Sequence, residues 1–428
     1  MTRRDLLKSG SLALAGFGIS GCATLAPRHA AARARAAQRA ARAPVNLAPV
    51  NASWDRVIRT TIGLRPHRDS GFVLRADKLD DKLLIHNYGH GGAGMSLAWG
   101  TGSMAADFAV QQPDRRAAVI GCGSPGLTAA RQLQRRGFDV TIYAMSIPPD
   151  TTSNMSLAGY TPVAGLVSND RRTPQWDAQF RQAAEISYRQ LQLLAGTSYG
   201  VYWQDAYSAT DNPDAQGGGG NEGSGDLLPP DLRSSEFREV LGPGEHPFPA
   251  KYAIRRTNLR IEPSIYLDAL VRDVLRYGGH IVIRKFDTPR DLMMLTEPVI
   301  VNCTGLGSKA LFNDEELVPV KGQLTVLVPQ PEVNYSASGR PPGSTAPVVG
   351  TPGGGASMNS RSDGLVIGNM MERGNWSLDI NEEVRQRVVD AAIRFFSAMR
   401  PPSPGARLTR SEPPRTAPSV ESFFDLES

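Results

Sequence analysis

Cysteine is scarce in this sequence: its 428 residues include only three, Cys22, Cys122 and Cys303. Cys122 and Cys303 can form at most one bridge, so a framework of disulfide bonds is excluded. The spacing of the three cysteines fits no metal site either. The chain contains no internal repeat, and its 40% hydrophobic content is enough to build a large buried core. We therefore expect a folded body of two closely packed domains.

The apolar run near the N-terminus, residues 12–19, is too short to span a bilayer as a helix. It follows the pair Arg3-Arg4 and ends close to Cys22, an order of features typical of an export signal. The arginine pair resembles a twin-arginine translocation signal, and the residues before Cys22 resemble a bacterial lipoprotein cleavage site. We interpret residues 1–22 as this signal, with Cys22 lipidated. In the alternative, Cys22 is only a small residue of the signal.

Residues 23–50 are interpreted as a tether between this signal and the folded body. Residues 23–45 are rich in Ala and Arg and have almost no large apolar side chain with which to build a core. A basic helix lying against anionic lipid is the alternative. We expect an exported protein, periplasmic or on the cell surface, which contacts the membrane through the lipid on Cys22.

Charge is distributed unevenly along the chain. The formal net charge is +5, but residues 1–43 contain eight basic residues and a single acid, Asp5. These residues carry +7, which leaves −2 for the rest of the chain. A basic surface on the folded body is therefore not expected, and nucleic acid is excluded from the expected partners.

Strand-like and helix-like segments alternate after the tether. One unit has a strand at 117–120, a helix at 127–136 and a second strand at 138–143. The first strand leads into Gly121-Cys122-Gly123-Ser124-Pro125-Gly126, whose glycines allow a tight turn and close approach of a pyrophosphate to the helix N-terminus. Met145 stands where a dinucleotide site has an acidic residue for the ribose, which argues against a freely exchanging NAD.

A second glycine-rich segment, residues 85–94, precedes a predicted helix at 95–108. Two strand-glycine-helix units can direct two helix N-termini at one elongated anionic cofactor, which indicates a tightly held dinucleotide. The alternative is a glycine-rich turn in which His86 and His90 are structural. The composition of the whole segment favours the cofactor.

These segments together resemble the D-amino-acid oxidases, a family of FAD-dependent enzymes. HNYGHGGAG (86–94) is similar to the closing segment of the family, and VIGCGSPGL (119–127) is similar to its opening segment. The resemblance covers most of residues 55–400. Further matching segments are GLRP (63–66), WG (99–100), DTTS (150–153), the helix and strand of 262–286, VIVNCTG (299–305), KGQ (321–323) and GNWS (374–377).

The resemblance implies an α/β fold, with a Rossmann-like FAD-binding domain interleaved with a mixed β-sheet substrate domain. It implies FAD as the cofactor and hydride transfer from a substrate Cα–H to the flavin, with oxygen or a quinone as the electron acceptor. It assigns the substrate carboxylate to Arg65 and the substrate amine to the carbonyl group of Gly92. The residues that it assigns to FAD are Gly89, Gly91, Gly92, Gly94, Ser96, Gly121, Gly123, Gly126, Thr151, Thr152, Ser153, Phe286, Cys303, Thr304 and Gly305.

The segments follow a different order from that of the family, because the closing segment stands before the opening one. We therefore predict a circular permutation whose new ends lie after Met399 and before Trp54. A gene-fusion artefact is the alternative, but each motif occurs only once. The expected FAD-binding parts are residues 80–165 and 255–310, the substrate-domain parts are 51–79, 166–254 and 311–400, and 401–428 is a Pro-rich tail.

The tyrosines that the family places before the GNWS segment are missing. Residues 353–364 read GGGASMNSRSDG, and the nearest replacements are Tyr335 and Arg361. The retained Arg65 favours an enzyme that oxidises the C–N bond of a small amino acid or amine carboxylate. The missing tyrosines favour the alternative, a catalytically degenerate flavin-binding surface module.

Overall fold

The computed structural model describes residues 43–157, 159–163, 169–214, 227–229, 232, 238–344 and 355–409. The export signal, Cys22, most of the tether and the end of the Pro-rich tail lie outside these ranges. Within them, no helix has both the length and the apolar character that crossing a membrane requires.

One sheet of the described residues is built mainly from parallel strands. Its six strands are β2 (Val73–Leu79), β3 (Lys82–Tyr88), β4 (Arg116–Ile120), β5 (Asp139–Ala144), β9 (His280–Ile283) and β10 (Val299–Asn302). Their spatial order is β2-β3-β10-β4-β5-β9, and only the edge strand β2 runs antiparallel to its neighbour. β10 is buried along its whole length, as expected for a central parallel strand.

The second sheet of the described residues is mostly antiparallel. Its eight strands are β1 (Val57–His67), β6 (Val201–Thr210), β7 (Glu239–Leu241), β8 (Tyr252–Ile261), β11 (Val318–Leu327), β12 (Ser336–Gly339), β13 (Ala356–Arg361) and β14 (Gly364–Arg373). Their order is β1-β11-β14-β13-β12-β6-β8-β7, and β12 and β6 form the single parallel pair among them. This sheet places β1 at one edge, where it pairs with β11.

Seven α-helices of the described residues cover the sheets: α1 (Gly94–Ala109), α2 (Ser124–Gln134), α3 (Pro174–Leu193), α4 (Pro263–Arg276), α5 (Pro289–Met293), α6 (Gly307–Leu311) and α7 (Glu382–Ser397). Helices α1 to α4 share one apolar core with the six-stranded sheet. Helix α7 buries Val388, Val389 and Phe395 in a second core with the eight-stranded sheet. Asn381 caps α7, because its Oδ1 accepts a hydrogen bond from Val384 N.

The fold class expected from the sequence is confirmed: the chain is α/β with two mixed sheets. The predicted strand at 280–286 is shorter than expected, since β9 ends at Ile283. The residues that follow lead into α5, whose first turn is fixed by the capping box of Thr288 and Asp291. Phe286 therefore lies in a loop.

Two expected boundaries are corrected by packing. The end of the tether, residues 45–50, belongs to the folded body, because Leu47, Ala48 and Val50 are buried in the second core. The apolar side chains of this short stretch explain the difference from the Ala- and Arg-rich residues before it. Strand β2, which the sequence places in the substrate domain, pairs with β3 in the six-stranded sheet.

Candidate functional site

Three neighbouring parallel strands, β3, β10 and β4, end at the same edge of the six-stranded sheet. The loops that follow them are residues 89–93, 303–305 and 121–123. The sheet order therefore places the two glycine-rich segments on either side of the loop after β10. This edge is where open α/β sheets bind ligands.

The loop after β4 packs closely through its backbone. Gly121 has a φ of +114°, and a Cβ on it would lie 2.6 Å from the carbonyl oxygen of Cys303. A Cβ on Gly126 would lie 2.0 Å from the carbonyl oxygen of Gly121. Both positions require glycine, because Cβ atoms do not approach backbone atoms so closely. The backbone of Gly121 and Gly123 stays partly accessible. We call the surface formed by residues 121–126 the cradle.

The N-termini of α1 and α2 meet beside these loops. A Cβ on Gly94, the first residue of α1, would lie 3.7 Å from Cγ of Pro125 in the first turn of α2. The partial positive charges of the two N-termini are therefore close together, which favours an anionic group at this place.

The Thr-rich segment 151–153 lies against the start of α2. Ser153 Oγ accepts a hydrogen bond of 3.0 Å from Ser124 N, and Thr151 Oγ1 donates to Asn154 Oδ1 at 2.7 Å. A Cβ on Gly63 of β1 would lie 3.8 Å from the carbonyl oxygen of Thr152. This segment thus connects the cradle to the eight-stranded sheet.

Strand β1 contacts the loops after β3 and β10. Gly91 N donates a hydrogen bond of 2.9 Å to the carbonyl oxygen of Pro66. A Cβ on Gly305 would lie 3.7 Å from Cγ of the same proline, and a Cβ on Gly89 would lie 2.8 Å from Cδ of Arg68, the residue that follows β1. The predicted FAD residues of these two loops are therefore brought together by β1.

Arg65 of β1 lies between two glycines. A Cβ on Gly92 would come within 2.8 Å of Cδ of Arg65, and a Cβ on Gly322 of β11 would come within 3.3 Å of its Nη2. Burial lowers the pKa of the Arg65 guanidinium. The group stays a cation at neutral pH because guanidinium is protonated far above it. The site thus holds a partly desolvated positive charge next to an exposed Gly92.

Sequence reasoning missed Asn302, the fully buried last residue of β10. Its Oδ1 accepts hydrogen bonds from Thr304 N at 3.1 Å and from Thr304 Oγ1 at 2.8 Å. Its Nδ2 lies 3.0 Å from His86 Nδ1 and 3.0 Å from Ser308 Oγ. Asn302 therefore fixes the loop after β10. A polar residue that ends an apolar strand directly before Cys303 is the signal that could have identified it.

Two polar residues of the segment around α1 have structural partners. His90 Nε2 lies 3.1 Å from Thr101 Oγ1, and burial lowers the pKa of His90 to about 4. Ser96 Oγ donates to the carbonyl oxygen of Gly159 at 3.2 Å and accepts from Thr161 N at 2.9 Å. His90 is therefore a structural histidine, as in the alternative interpretation of this segment. The assignment of Ser96 to FAD stays a prediction, with its hydroxyl already engaged.

Phe286 and the cysteines are placed differently from the glycines. Phe286 follows β9, two strands away from β4, and its ring meets the Tyr143 ring edge-on at 5.8 Å. Cys122 and Cys303 are buried free thiols. Burial raises the pKa of both thiols, that of Cys122 to about 12, so neither is a thiolate nucleophile. Cys303 contributes its carbonyl oxygen to the packing of Gly121.

The two replacements considered for the missing tyrosines have other roles. Tyr335 is fully buried in the second core, and its hydroxyl donates to the carbonyl oxygen of Ala48 at 2.6 Å. Arg361 Nε donates to Asp363 Oδ1 at 2.7 Å, and its Nη1 donates to the carbonyl oxygen of Ser156 at 3.2 Å. Tyr335 is therefore a core residue, and Arg361 holds the segment that follows the Thr-rich residues.

The arrangement fits FAD. The glycines make room for close approach of a pyrophosphate, and the two adjacent helix N-termini supply the charge that a pyrophosphate needs. The residues that line this place are Gly92, Gly94, Gly121, Gly123, Ser153, Thr304 and Gly305. A bound flavin would supply the acceptor for a hydride from substrate, and Arg65 offers a fork for a carboxylate.

Comparison with known proteins agrees with this geometry. The family described as FAD dependent oxidoreductase matches residues 116–417. The chain is 28% identical to a D-amino-acid oxidase of Rubrobacter xylanophilus, over 68% of this chain and 79% of the relative. It is 28% identical to a D-amino-acid oxidase of Streptomyces coelicolor, over 69% and 81%.

A D-amino acid oxidase of Dugesia ryukyuensis is 24% identical over 51% of this chain, and the chain spans 63% of that relative. Among solved structures, L-proline dehydrogenase from P. horikoshii matches with a TM-score of 0.45 and 15% identity, over 67% of this chain and 78% of that one. The family match covers more than half of the sequence. The chain therefore belongs to the DAO family of FAD-dependent oxidoreductases, with FAD as its cofactor.

Proposed function

We propose that this protein oxidises the C–N bond of a small amino acid or amine carboxylate. The observation that carries the proposal is the position of Arg65 beside Gly92, at the edge of the sheet where the glycine loops meet. FAD, when bound, supplies the hydride acceptor, and oxygen or a quinone reoxidises it. The work left to the protein is to bind the substrate and to hold its Cα–H in place.

Arg65 binds the substrate carboxylate in this proposal. A carboxylate that enters a partly apolar site loses hydration, and a bidentate guanidinium compensates for that loss with two hydrogen bonds. Gly322 leaves room for Nη2 of Arg65, so the guanidinium can lie against β11 at this position. Lysine would give a point charge without this geometry.

The carbonyl group of Gly92 accepts a hydrogen bond from the substrate amine. Gly92 is exposed, and its φ of +110° is a conformation that residues with a side chain rarely adopt. Carboxylate and amine would then be held by adjacent groups of the chain. Two fixed points leave the substrate Cα little freedom to rotate, which favours reaction through positioning.

A circular permutation belongs to this proposal. The family match begins at residue 116, so strands β1 to β3 and helix α1 precede it. The two ends of the described chain are in contact: Thr409 N donates to the carbonyl oxygen of Asn46 at 2.6 Å, and Asn46 N donates to Thr409 Oγ1 at 3.1 Å. Adjacent ends are what a permuted chain needs, because the family order would join them.

Export by a twin-arginine signal and lipidation of Cys22 are proposed for the N-terminal residues. The support is the sequence pattern of Arg3-Arg4, the short apolar run and Cys22. A membrane-anchored flavoprotein would meet a quinone at the membrane or oxygen in solution. The acceptor is proposed as one of these two.

The second candidate function is a catalytically degenerate flavin-binding module. Tyr335, the nearest tyrosine to the missing ones, is a buried core residue and offers no hydroxyl to a carboxylate.

A screen separates the two functions. The purified yellow protein is mixed anaerobically with D- and L-amino acids, glycine and N-methyl amino acids. Bleaching of the flavin by any of them supports the oxidase, and no bleaching by the whole panel supports the module.

A further inference from the structure

A continuous polar network connects the surface of the six-stranded sheet to the loop after β10. Asp77 Oδ2 on β2 lies 3.3 Å from His86 Nε2 on β3. His86 Nδ1 lies 3.0 Å from Asn302 Nδ2, and Asn302 Oδ1 accepts from Thr304 N and Thr304 Oγ1. His86 and Asn302 are buried, while Asp77 is partly exposed. Buried polar networks of this kind fix a unique local arrangement only when every member is satisfied.

The network determines which nitrogen of His86 carries the proton. Thr304 N can only donate, so the acceptor Oδ1 of Asn302 must face Thr304, and the amide Nδ2 must face His86. Nδ1 of His86 is therefore the acceptor and carries no hydrogen. The ring proton is on Nε2, where it can be donated to Asp77 Oδ2.

A second proton on His86 would disturb this arrangement. Nδ1–H would then face the amide hydrogens of Asn302, and two donors cannot form a hydrogen bond. Rotating the Asn302 amide would bring Oδ1 to His86, but Thr304 N would lose its acceptor, and Thr304 Oγ1 would keep only Ser308 Oγ, 2.8 Å away. The loop of 303–305 would then be held less firmly, although the hydrogen bond from Cys303 N to the carbonyl oxygen of Ile120 would remain.

The surroundings of His86 are mixed in charge. Asp77 and Arg75 face it from β2, and Asp314 faces it from the loop after α6. The rings of Tyr88 and Phe312 pack edge-on against it at 5.6 Å and 4.8 Å. Burial outweighs the two carboxylates and lowers the pKa of His86 to about 4. The neutral ring that the hydrogen bonds require is therefore present at neutral pH.

We propose that His86 is a positioning residue of the FAD site, which holds the loop of 303–305 through Asn302 as long as its ring is neutral. The inference rests on the placement of FAD at this sheet edge. Protonation of His86 would then weaken FAD binding without any contact between the ring and the cofactor. The same network gives Asp77 the role of fixing the tautomer of His86, as carboxylates do for histidines in other sites.

Three variants of the full-length holoprotein test this role. His86→Asn keeps an acceptor near the position of Nδ1 and removes the titration. His86→Leu removes both the acceptor and the titration. His90→Asn is the matched control, because His90 lies in the same segment and burial lowers its pKa to about 4 as well, but its partner is Thr101 outside the network. Free FAD is measured by fluorescence as the pH is lowered, with far-UV circular dichroism recorded at each pH to restrict the comparison to folded protein.

FAD should dissociate from the wild-type protein and from His90→Asn along the same pH curve. One pH unit below the pKa of His86, both proteins should bind FAD about tenfold more weakly than at neutral pH. His86→Asn should bind FAD equally at all these pH values, and His86→Leu should bind it weakly even at neutral pH. Loss of FAD from His86→Asn along the wild-type curve would overturn the inference.

A second measurement keeps the inference testable if acid unfolds the protein first. Nitrogen-15 NMR at neutral pH should show His86 as the neutral tautomer with hydrogen on Nε2, and the opposite tautomer would overturn the inference. Both measurements require FAD binding and folded protein but no substrate. A holoprotein that no substrate reduces would therefore contradict the proposed function while leaving this test intact.

Discussion

The side chain of Arg65 packs directly on Gly92, so closely that a Cβ on Gly92 would lie 2.8 Å from Cδ of the arginine. Gly92→Ala should therefore displace Arg65 and strain a backbone with φ of +110°. We expect turnover to fall about 100-fold, the size of effect that a small misplacement of a reacting group can have. Steady-state kinetics on a substrate from the anaerobic screen measure the loss.

Gly137→Ala is the control for this variant. Gly137 has a φ of +79°, but among the described residues no atom lies within 4 Å of a Cβ placed on it. It should lose about 1–3 kcal/mol of stability from backbone strain and keep its turnover. Equal turnover of Gly92→Ala and Gly137→Ala would show that contact with Arg65 has no role in the reaction.

Gly123→Leu should abolish FAD binding. A Cβ on Gly123 would already lie 3.0 Å from Ser153 Oγ, so a larger side chain fills the cradle between α2 and the Thr-rich segment. The variant should be purified colourless but folded, as judged by circular dichroism. Gly278→Leu is the control, because no atom in the part of the chain that the structure describes lies within 4 Å of a Cβ on Gly278. A yellow Gly123→Leu protein with wild-type flavin content would place FAD elsewhere.

Stability should fall as the pH decreases from about 6.5 to about 4. Burial lowers the pKa of His86 and of His90 to about 4 from 6.5, so the unfolded chain binds their protons first. Each histidine should cost about 2 kcal/mol of unfolding free energy between pH 7 and pH 5. Urea unfolding at the two pH values measures this difference, and His90→Asn should reduce it by one histidine's share. An unchanged pH dependence in that variant would contradict the assignment.

Cys22→Ala should release the protein from the membrane. The residue before the tether is the proposed site of lipid attachment, and the described part of the chain has no helix that could cross a membrane. Fractionation after a high-salt wash should find wild-type protein with the membrane and the variant in the soluble fraction. Replacing Arg3 and Arg4 with lysine should retain the protein in the cytoplasm. Membrane attachment of Cys22→Ala after the wash would exclude lipid as the anchor.

Local patterns were enough to predict the strand, turn and helix around Gly121, because glycine spacing and apolar periodicity are short-range signals. The approach of Arg65 to Gly322 depends on the pairing of β1 with β11, and its approach to Gly92 depends on the contact of β1 with the loop after β3; both join residues far apart in sequence. The burial of Tyr335 against Ala48 depends on packing of the N-terminal segment in the second core. Neither contact has a local pattern from which it could be predicted.

The hydrogen bond between His86 and Asn302 could not be predicted from local patterns either. Both residues belong to segments that the sequence marks as functional, yet their partnership follows only from the adjacency of β3 and β10. Phe286 was expected at the FAD site, but its position after β9 separates it by two strands from the glycine loop of β4. Sheet order is therefore the information that the sequence patterns did not contain.

The most direct measurement of the central claim is anaerobic reduction of the bound flavin in the wild-type and Arg65→Ala proteins. A carboxylate substrate found by the screen should bleach the wild-type flavin. Arg65→Ala should keep the oxidised flavin spectrum but lose roughly 3 to 5 kcal/mol in substrate capture, as for one partner removed from a buried ion pair. Bleaching of both proteins at equal substrate concentrations and rates would contradict the role of Arg65 and with it the proposed amine oxidase.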